Sequence, residues 1–211
     1  MITPDALGYL PETPSQTAGP FVHIGLIPRQ AGFDIFENNL GTIALGPEIK
    51  GERIRIEGRI FDGTGAVIRD ALVEIWQADS FGRFNHPADQ APGPRDAAFR
   101  GWGRTGTDFE TGLWSFATIK PGAVARRHGE GSLAPHILVW IVARGINLGL
   151  LTRLYFEDEA VANAEDPVLR LVEQLERRKT LIARRVSGAA ENTYVFDIHL
   201  QGAAETVFFD V

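Results

Sequence analysis

The chain has 211 residues, 44% hydrophobic and 23% charged, with a formal charge of −6 and no cysteine. That length and balance suit one soluble globular domain, or one domain carrying a long arm. The acidic balance argues against a phosphate backbone as partner, and the lack of cysteine excludes a disulfide framework and any thiolate metal site.

No run of eighteen apolar residues and no secretory leader pattern occurs. Neither a membrane span nor a signal is expected, and a cytoplasmic location fits. An anionic small molecule remains possible where arginine outweighs the general field, and Arg144 and the Arg126–Arg127 pair are the local candidates.

Residues 1–50 read as an arm. Pro4, Pro11, Pro14, Pro20, Pro28 and Pro47 forbid a long helix. Yet Phe21, Val22, Ile24, Leu26, Phe33, Ile35 and Phe36 are too apolar for a disordered tail. Such an arm must lie on its own core or on a partner chain, and the residue pattern leaves both open.

Residues 51–211 form the domain. Glu52–Phe61 alternates at Ile54, Ile56, Gly58 and Ile60, as a strand does. Asp62-Gly63-Thr64-Gly65 is a turn, and Ala71–Gln77 resumes as a strand. A long loop is expected over 81–100, which is rich in Gly, Pro, Asp and Asn. Gly103–Asp108 and Leu113–Ile119 flank a further hairpin turn, and Lys120-Pro121-Gly122 ends the second of them.

A loop with Arg126, Arg127 and His128 leads into Ala134–Arg144, which is almost wholly apolar and reads as a central strand buried on both faces. His136 enters that strand and Arg144 closes it. Leu151–Phe156 is another strand. One helix is expected, capped by Asp166 with Pro167 at its first position and carrying Val168, Leu169, Leu171, Val172 and Leu175 as a stripe. Leu181–Ala183 is a short apolar piece, and Tyr194–Leu200 and Thr206–Phe209 finish the chain as strands. The fold class is mainly β: an antiparallel β-sandwich with a long N-terminal arm and one short helical segment.

No two of the five histidines, His23, His86, His128, His136 and His199, stand at i, i+2 on a strand, the spacing that aims two rings at one ion. No Gly-x-Ser-x-Gly elbow and no phosphate-binding glycine loop is present. Composition and spacing therefore stop at a sandwich with an aromatic-lined strap, and an arginine whose ordinary role is an ion pair.

Longer segments say more. Leu10-Pro11-Glu12-Thr13-Pro14-Ser15-Gln16-Thr17-Ala18-Gly19-Pro20-Phe21-Val22-His23-Ile24-Gly25-Leu26, Val73-Glu74-Ile75-Trp76-Gln77-Ala78-Asp79, Thr118-Ile119-Lys120-Pro121-Gly122 and Ala134-Pro135-His136-Ile137 stand in this order along the chain. So do Ala143-Arg144-Gly145-Ile146-Asn147, Thr152-Arg153-Leu154-Tyr155-Phe156 and Glu205-Thr206-Val207-Phe208-Phe209. In these segments the chain resembles the intradiol ring-cleaving dioxygenases, and among them the α chain of the type built from two homologous chains.

The resemblance implies a β partner that holds a non-haem ferric ion with two tyrosines and two histidines. One tyrosine lies in a Gly-Arg-Tyr segment, one follows Ile-Lys-Pro-Gly, and the histidines form His-x-His. Here Gly82-Arg83 is followed by Phe84, the second tyrosine position is Val124, and His136 is paired with Leu138. Three of four ligands are replaced by groups without a lone pair, and one imidazole does not hold Fe(III). No metal is therefore expected in this chain, with Phe84, Val124, His136 and Leu138 a degenerate site.

The resemblance further implies a substrate pocket at the α/β boundary, with Thr17, Gly19, Pro20 and Phe21 from the arm and Arg144 from the strand end as this chain's wall. Position 21 usually carries tyrosine in the family. The implied reaction is O2-dependent cleavage of 3,4-dihydroxybenzoate to 3-carboxy-cis,cis-muconate, a step of aromatic catabolism in the β-ketoadipate pathway, with this chain inactive alone. The alternative is a stand-alone, non-catalytic binding or scaffold protein derived from such enzymes.

Overall fold

The alternating isoleucines of the first strand set the architecture. In the computed structural model, which describes residues 14–37, 41–127, 129–188 and 192–210, β1 (Arg53–Phe61) buries Ile54, Ile56, Gly58 and Ile60 and turns the intervening residues outward. A Cβ on Gly58 would run into the carbonyl of Phe196 and the indole of Trp114, which is why a strand interior carries glycine there.

Two sets of strands enclose the core. Four strands, β2 (Leu72–Gln77), β3 (Trp102–Gly106), β7 (His136–Val142) and β8 (Leu150–Phe156), form an antiparallel group in the order β3-β2-β7-β8. In the other set, β1 pairs antiparallel with β4 (Leu113–Ile119), from Arg53 opposite Ile119 to Arg59 opposite Leu113. The strand β9 (Ile182–Arg185) joins the two sets, parallel to β8 and antiparallel to β10 (Thr193–Val195). A separate two-stranded ribbon, β5 (Val124–Ala125) with β6 (Ser132–Leu133), follows the Lys120-Pro121-Gly122 break. Between the sets, Ile56, Ile60, Trp114 and Ile119 pack in one cluster with Val73, Ile75, Val139 and Ile141.

Four expectations are corrected. The sandwich is mixed rather than purely antiparallel, because β10 and β11 (Ile198–His199) both run parallel to β1, and β9 runs parallel to β8. The expected strand Tyr194–Leu200 breaks at Phe196–Asp197, where the Arg59 N–H donates to Asp197 Oδ1 at 2.9 Å instead of to a ladder carbonyl. The last expected strand, Thr206–Phe209, reduces to a single bridge between Phe209 and Leu151. Finally, β7 is buried along the whole of one face only: Ile137, Val139 and Ile141 are inside, whereas on the other His136 is buried, Leu138 half-buried and Trp140 37% exposed.

Helix content also differs. The arm makes one turn of helix, α1 (Val22–Leu26), and three short helices follow β8: α2 (Ala160–Glu165), α3 (Pro167–Leu171) and α4 (Leu175–Lys179). Asp166 caps α3 as expected, accepting from the N–H groups of Val168 and Leu169. The apolar stripe does not hold together: Leu169 is buried against Ala134, Tyr155 and Leu181 with Val172 packed at the edge of that cluster, while Leu171 and Leu175 face solvent.

Asp166 is more than a cap. Its carboxylate is fully buried, and it also accepts from the Ala134 N–H at 2.8 Å and the Tyr155 hydroxyl at 3.2 Å. It thus ties the entry of β7, the body of β8 and the start of α3 together. Removing it strands four donors in a dry site. Asp166→Ala should cost about 3 kcal/mol or more in urea unfolding, and Asp166→Asn, which retains one acceptor oxygen, distinctly less. A loss below about 1 kcal/mol for the alanine variant would contradict this role.

Candidate functional site

Two places bring the sequence-expected residues together. The first is the outer end of β7. Arg144 follows the strand there and pairs through Nε with Asp70 Oδ2 at 2.5 Å, its side chain 61% exposed. No other hydrogen bond or ion pair of Arg144 is found among the described residues, so its two Nη groups are available to an anion. The next residue, Gly145, has φ +85 and donates its N–H to Thr17 Oγ1 at 2.7 Å. A hydroxyl from the arm is thereby held beside an arginine 127 positions later in the chain.

Gly19 and Pro20 follow along an open stretch of arm, and Phe21 caps the start of α1 with 73% of its surface exposed. Nothing approaches the space where a Gly19 side chain would stand. Farther along, the arm is pinned to its own domain. Ile27 is buried, and the Gln30 side-chain amide both donates to the carbonyls of Gly106 and Thr107 and accepts from the Gly106 N–H. Ile43 and Ile49 enter the main core. Phe21, Phe33, Ile35 and Phe36 stay largely exposed. The first thirteen residues, including Leu10–Thr13 of the segment quoted above, lie outside the described residues, as does His128.

The second place is a cavity of about 670 Å³ lined by residues that include Trp76, Phe84, Val124, Arg126 and Arg127. Gly82, at φ +75, lets the Gly82-Arg83-Phe84 turn close against Ala123, whose carbonyl a Cβ would strike. Asp89 fixes the outer wall: its carboxylate takes the Phe84 N–H at 2.7 Å and the Arg83 guanidinium at 2.9 Å. Burial works against that charge, but the N–H groups of Phe84 and Ala91, together with Arg83 and Arg95, hold the Asp89 pKa below its ordinary value.

The other two degenerate positions stand apart from this lining. Leu138 lies on β7 opposite Trp76. His136 is buried, with Nδ1 2.7 Å from the Ala134 carbonyl and its ring 5.7 Å from that of Tyr155. A carbonyl only accepts, so Nδ1 carries the proton. Burial first, and the nearby Arg153 charge second, push the His136 pKa down to about 4. Burial likewise pushes the Tyr155 hydroxyl up.

The donor set does not fit a ferric ion. Two of the four positions present hydrocarbon to the cavity, a third presents leucine, and the one imidazole is committed to its strand and to Tyr155. Among the described residues, no three carboxylate or imidazole groups gather closely enough to hold a metal. No helix among them is long and apolar enough to cross a membrane.

The mixed β-sandwich has the fold of solved catechol dioxygenases. The fold is shared with 3-chlorocatechol 1,2-dioxygenase from Rhodococcus opacus 1CP, with a TM-score of 0.56 and 18% identity over 90% of this chain and 68% of that one. A family model described as "Dioxygenase" matches residues 35–202, and the chain belongs to this family, the intradiol ring-cleavage dioxygenases. The chain is 47% identical to the protocatechuate 3,4-dioxygenase alpha chain of Pseudomonas putida, over 95% of this chain and 97% of that one. It is 37% identical to the protocatechuate 3,4-dioxygenase beta chain of Burkholderia cepacia, over 74% of this chain and 67% of that one.

Resemblance named Thr17 and Arg144, which the fold brings to the same end of β7, but not Asp70, which has no local signal, and the sequence showed Asp166 only as a cap. His136 is a buried residue hydrogen-bonded to its own strand entry. Since the folded pKa of His136 lies below the unfolded value near 6.5, the unfolded chain takes up the proton first as pH falls. The native state therefore loses stability between about pH 6.5 and 4, by a total on the order of 3 kcal/mol. The unfolding free energies of wild type and His136→Gln should converge as pH drops from about 7.5 to 4.5. A constant difference across that window would show that the ring is not held neutral.

Proposed function

We propose that this chain is the non-iron α-type subunit of a protocatechuate 3,4-dioxygenase, pairing with a homologous β chain that carries the ferric ion. The reaction is cleavage of 3,4-dihydroxybenzoate by O2 between its two hydroxylated carbons, giving 3-carboxy-cis,cis-muconate with both oxygen atoms retained. The cytoplasm and the aromatic-catabolic β-ketoadipate pathway are the setting that goes with this reading. Its likeness to the Pseudomonas putida alpha chain supports it. The observation that carries it is the Thr17–Gly145 hydrogen bond, which holds the arm against the Arg144 end of β7.

The contribution of this chain follows from that arrangement. Gly19 and Pro20 offer backbone without bulk, so a flat ring can approach closely, and exposed Phe21 gives an aromatic wall. Thr17 and the Nη groups of Arg144 supply the few placed polar groups that a largely apolar slot needs. Arg144 offsets negative charge on a substrate bound as an anion, and Asp70 fixes its fork by taking Nε. The exposed Phe33, Ile35 and Phe36 give the rest of the arm an apolar surface for the β chain.

In the purified two-chain complex, Arg144→Ala should lower kcat/KM for 3,4-dihydroxybenzoate at least about tenfold while iron per αβ pair stays unchanged. Asp70→Asn should produce a smaller loss in the same direction. Its effect on unfolding free energy should stay under about 1 kcal/mol, since the Arg144 side chain is mostly solvent-exposed. Unchanged turnover in Arg144→Ala, or loss of iron with it, would overturn this assignment.

A further inference from the structure

The cavity behind Phe84 and Val124 plays no part in the wall described above, and its lining has a chemistry of its own. Trp76 and Phe84 lie nearly parallel, 10° apart with ring centroids separated by 5.8 Å, and His86 meets Trp76 edge-on at 6.4 Å. A further flat ring can continue that stack. His86 Nδ1 accepts the Ala88 N–H at 3.1 Å, so in the neutral ring the other nitrogen carries the proton and can donate.

The charge of the lining is also one-sided. Asp89, its acidic member, is already matched by Arg83 at 2.9 Å and Arg95 at 3.9 Å. Arg126 spends one Nη on the Glu130 carbonyl, and Arg127 has no hydrogen bond or ion pair among the described residues. Neither faces a carboxylate within ion-pair distance there, so the cavity carries two uncompensated guanidinium groups beside an aromatic platform. At about 670 Å³ it is of the size that encloses a small organic ligand. Asp89 fixes the turn that forms its wall through the Phe84 and Ala91 N–H groups, so the site is organised without ligand.

We propose that this cavity binds an aromatic carboxylate, its ring continuing the Trp76–Phe84 stack and its carboxylate held by Arg126 and Arg127. With phenylalanine and valine in place of donor side chains, the site recognises and retains the acid but has nothing to open its ring with. The inference does not rest on the proposed pairing with a β chain, because every group it uses belongs to this chain.

The test counts 4-fluorobenzoate bound per chain by equilibrium dialysis, followed by fluorine NMR, on the protein as it purifies, with its partner if one accompanies it. Two variants are compared with wild type: the double substitution Arg126→Ala/Arg127→Ala, and Val124→Phe, which fills the cavity from the β5 side. Both should lose one bound benzoate per chain, with affinity at that site falling at least tenfold. Any benzoate held in a ring-opening pocket should be unaffected. Wild-type binding in both variants overturns the proposal. Loss in the arginine variant alone places the carboxylate on surface guanidinium groups outside the cavity and overturns it too. Loss in Val124→Phe alone shows a cavity that takes rings without reading the carboxylate, and overturns the ligand class. If the chain purifies without a β partner yet shows the site, the cavity assignment stands while the proposed function falls.

Discussion

A ferric ion in a protein is held by lone pairs, and the whole arrangement of this chain turns on where those lone pairs are missing. Phe84 and Val124 face a cavity with carbon, Leu138 follows β7 with carbon, and the imidazole of His136 is occupied by the Ala134 carbonyl and the ring of Tyr155. Nothing else in the neighbourhood has collapsed to match. The Gly82 turn still closes on Ala123, Asp89 still ties that turn, and the lining still leaves a volume that a ligand can enter. The cavity keeps its shape without donor side chains, and shape is what a subunit needs if, as proposed above, its task is to form a wall.

The persistence has a physical cause. His136, Tyr155 and Asp166 form a buried polar knot between β7, β8 and α3: the Tyr155 hydroxyl donates to Asp166, and the carbonyl and N–H of Ala134 meet His136 and Asp166. Deleting one member would strand the rest in a low-dielectric interior, so the knot survives as structure. The outer end of β7 differs in every respect. Arg144 is exposed, Asp70 holds one edge of its fork, and among the described residues a single hydroxyl, that of Thr17, links this end to the arm. Rigidity at one end of a strand and accessibility at the other is a useful division for a surface that must meet both a substrate and a second chain.

How much of this was legible in the sequence depends on how local each signal is. Leu113–Ile119 could be read to the residue, because alternation and the Lys120-Pro121-Gly122 break both lie within a few positions. The Asp166–Pro167 helix start was legible for the same reason. The parallel pairings of β8 with β9 and of β1 with β10 were not, since nothing in an apolar run specifies the direction of its neighbour. Asp197, which replaces a ladder acceptor and breaks the last long strand, looks like an ordinary surface acid until Arg59 is placed beside it. In the site, the Thr17–Gly145 contact spans 128 positions, and Asp70 meets Arg144 across a fold that only the sheet defines. Resemblance pointed to one side of each pair, and the geometry supplied the other.

The claim beneath all of this is that the chain contributes walls and charge while a homologous partner contributes the ion. It is tested most directly by measuring iron and O2-dependent opening of 3,4-dihydroxybenzoate in this chain expressed alone, in a β-type chain expressed alone, and in the two expressed together. The account predicts no stoichiometric iron and no turnover for this chain alone, with one iron per pair and full turnover for the two together. Stoichiometric iron on this chain by itself, or ring opening by it without a partner, would contradict the account.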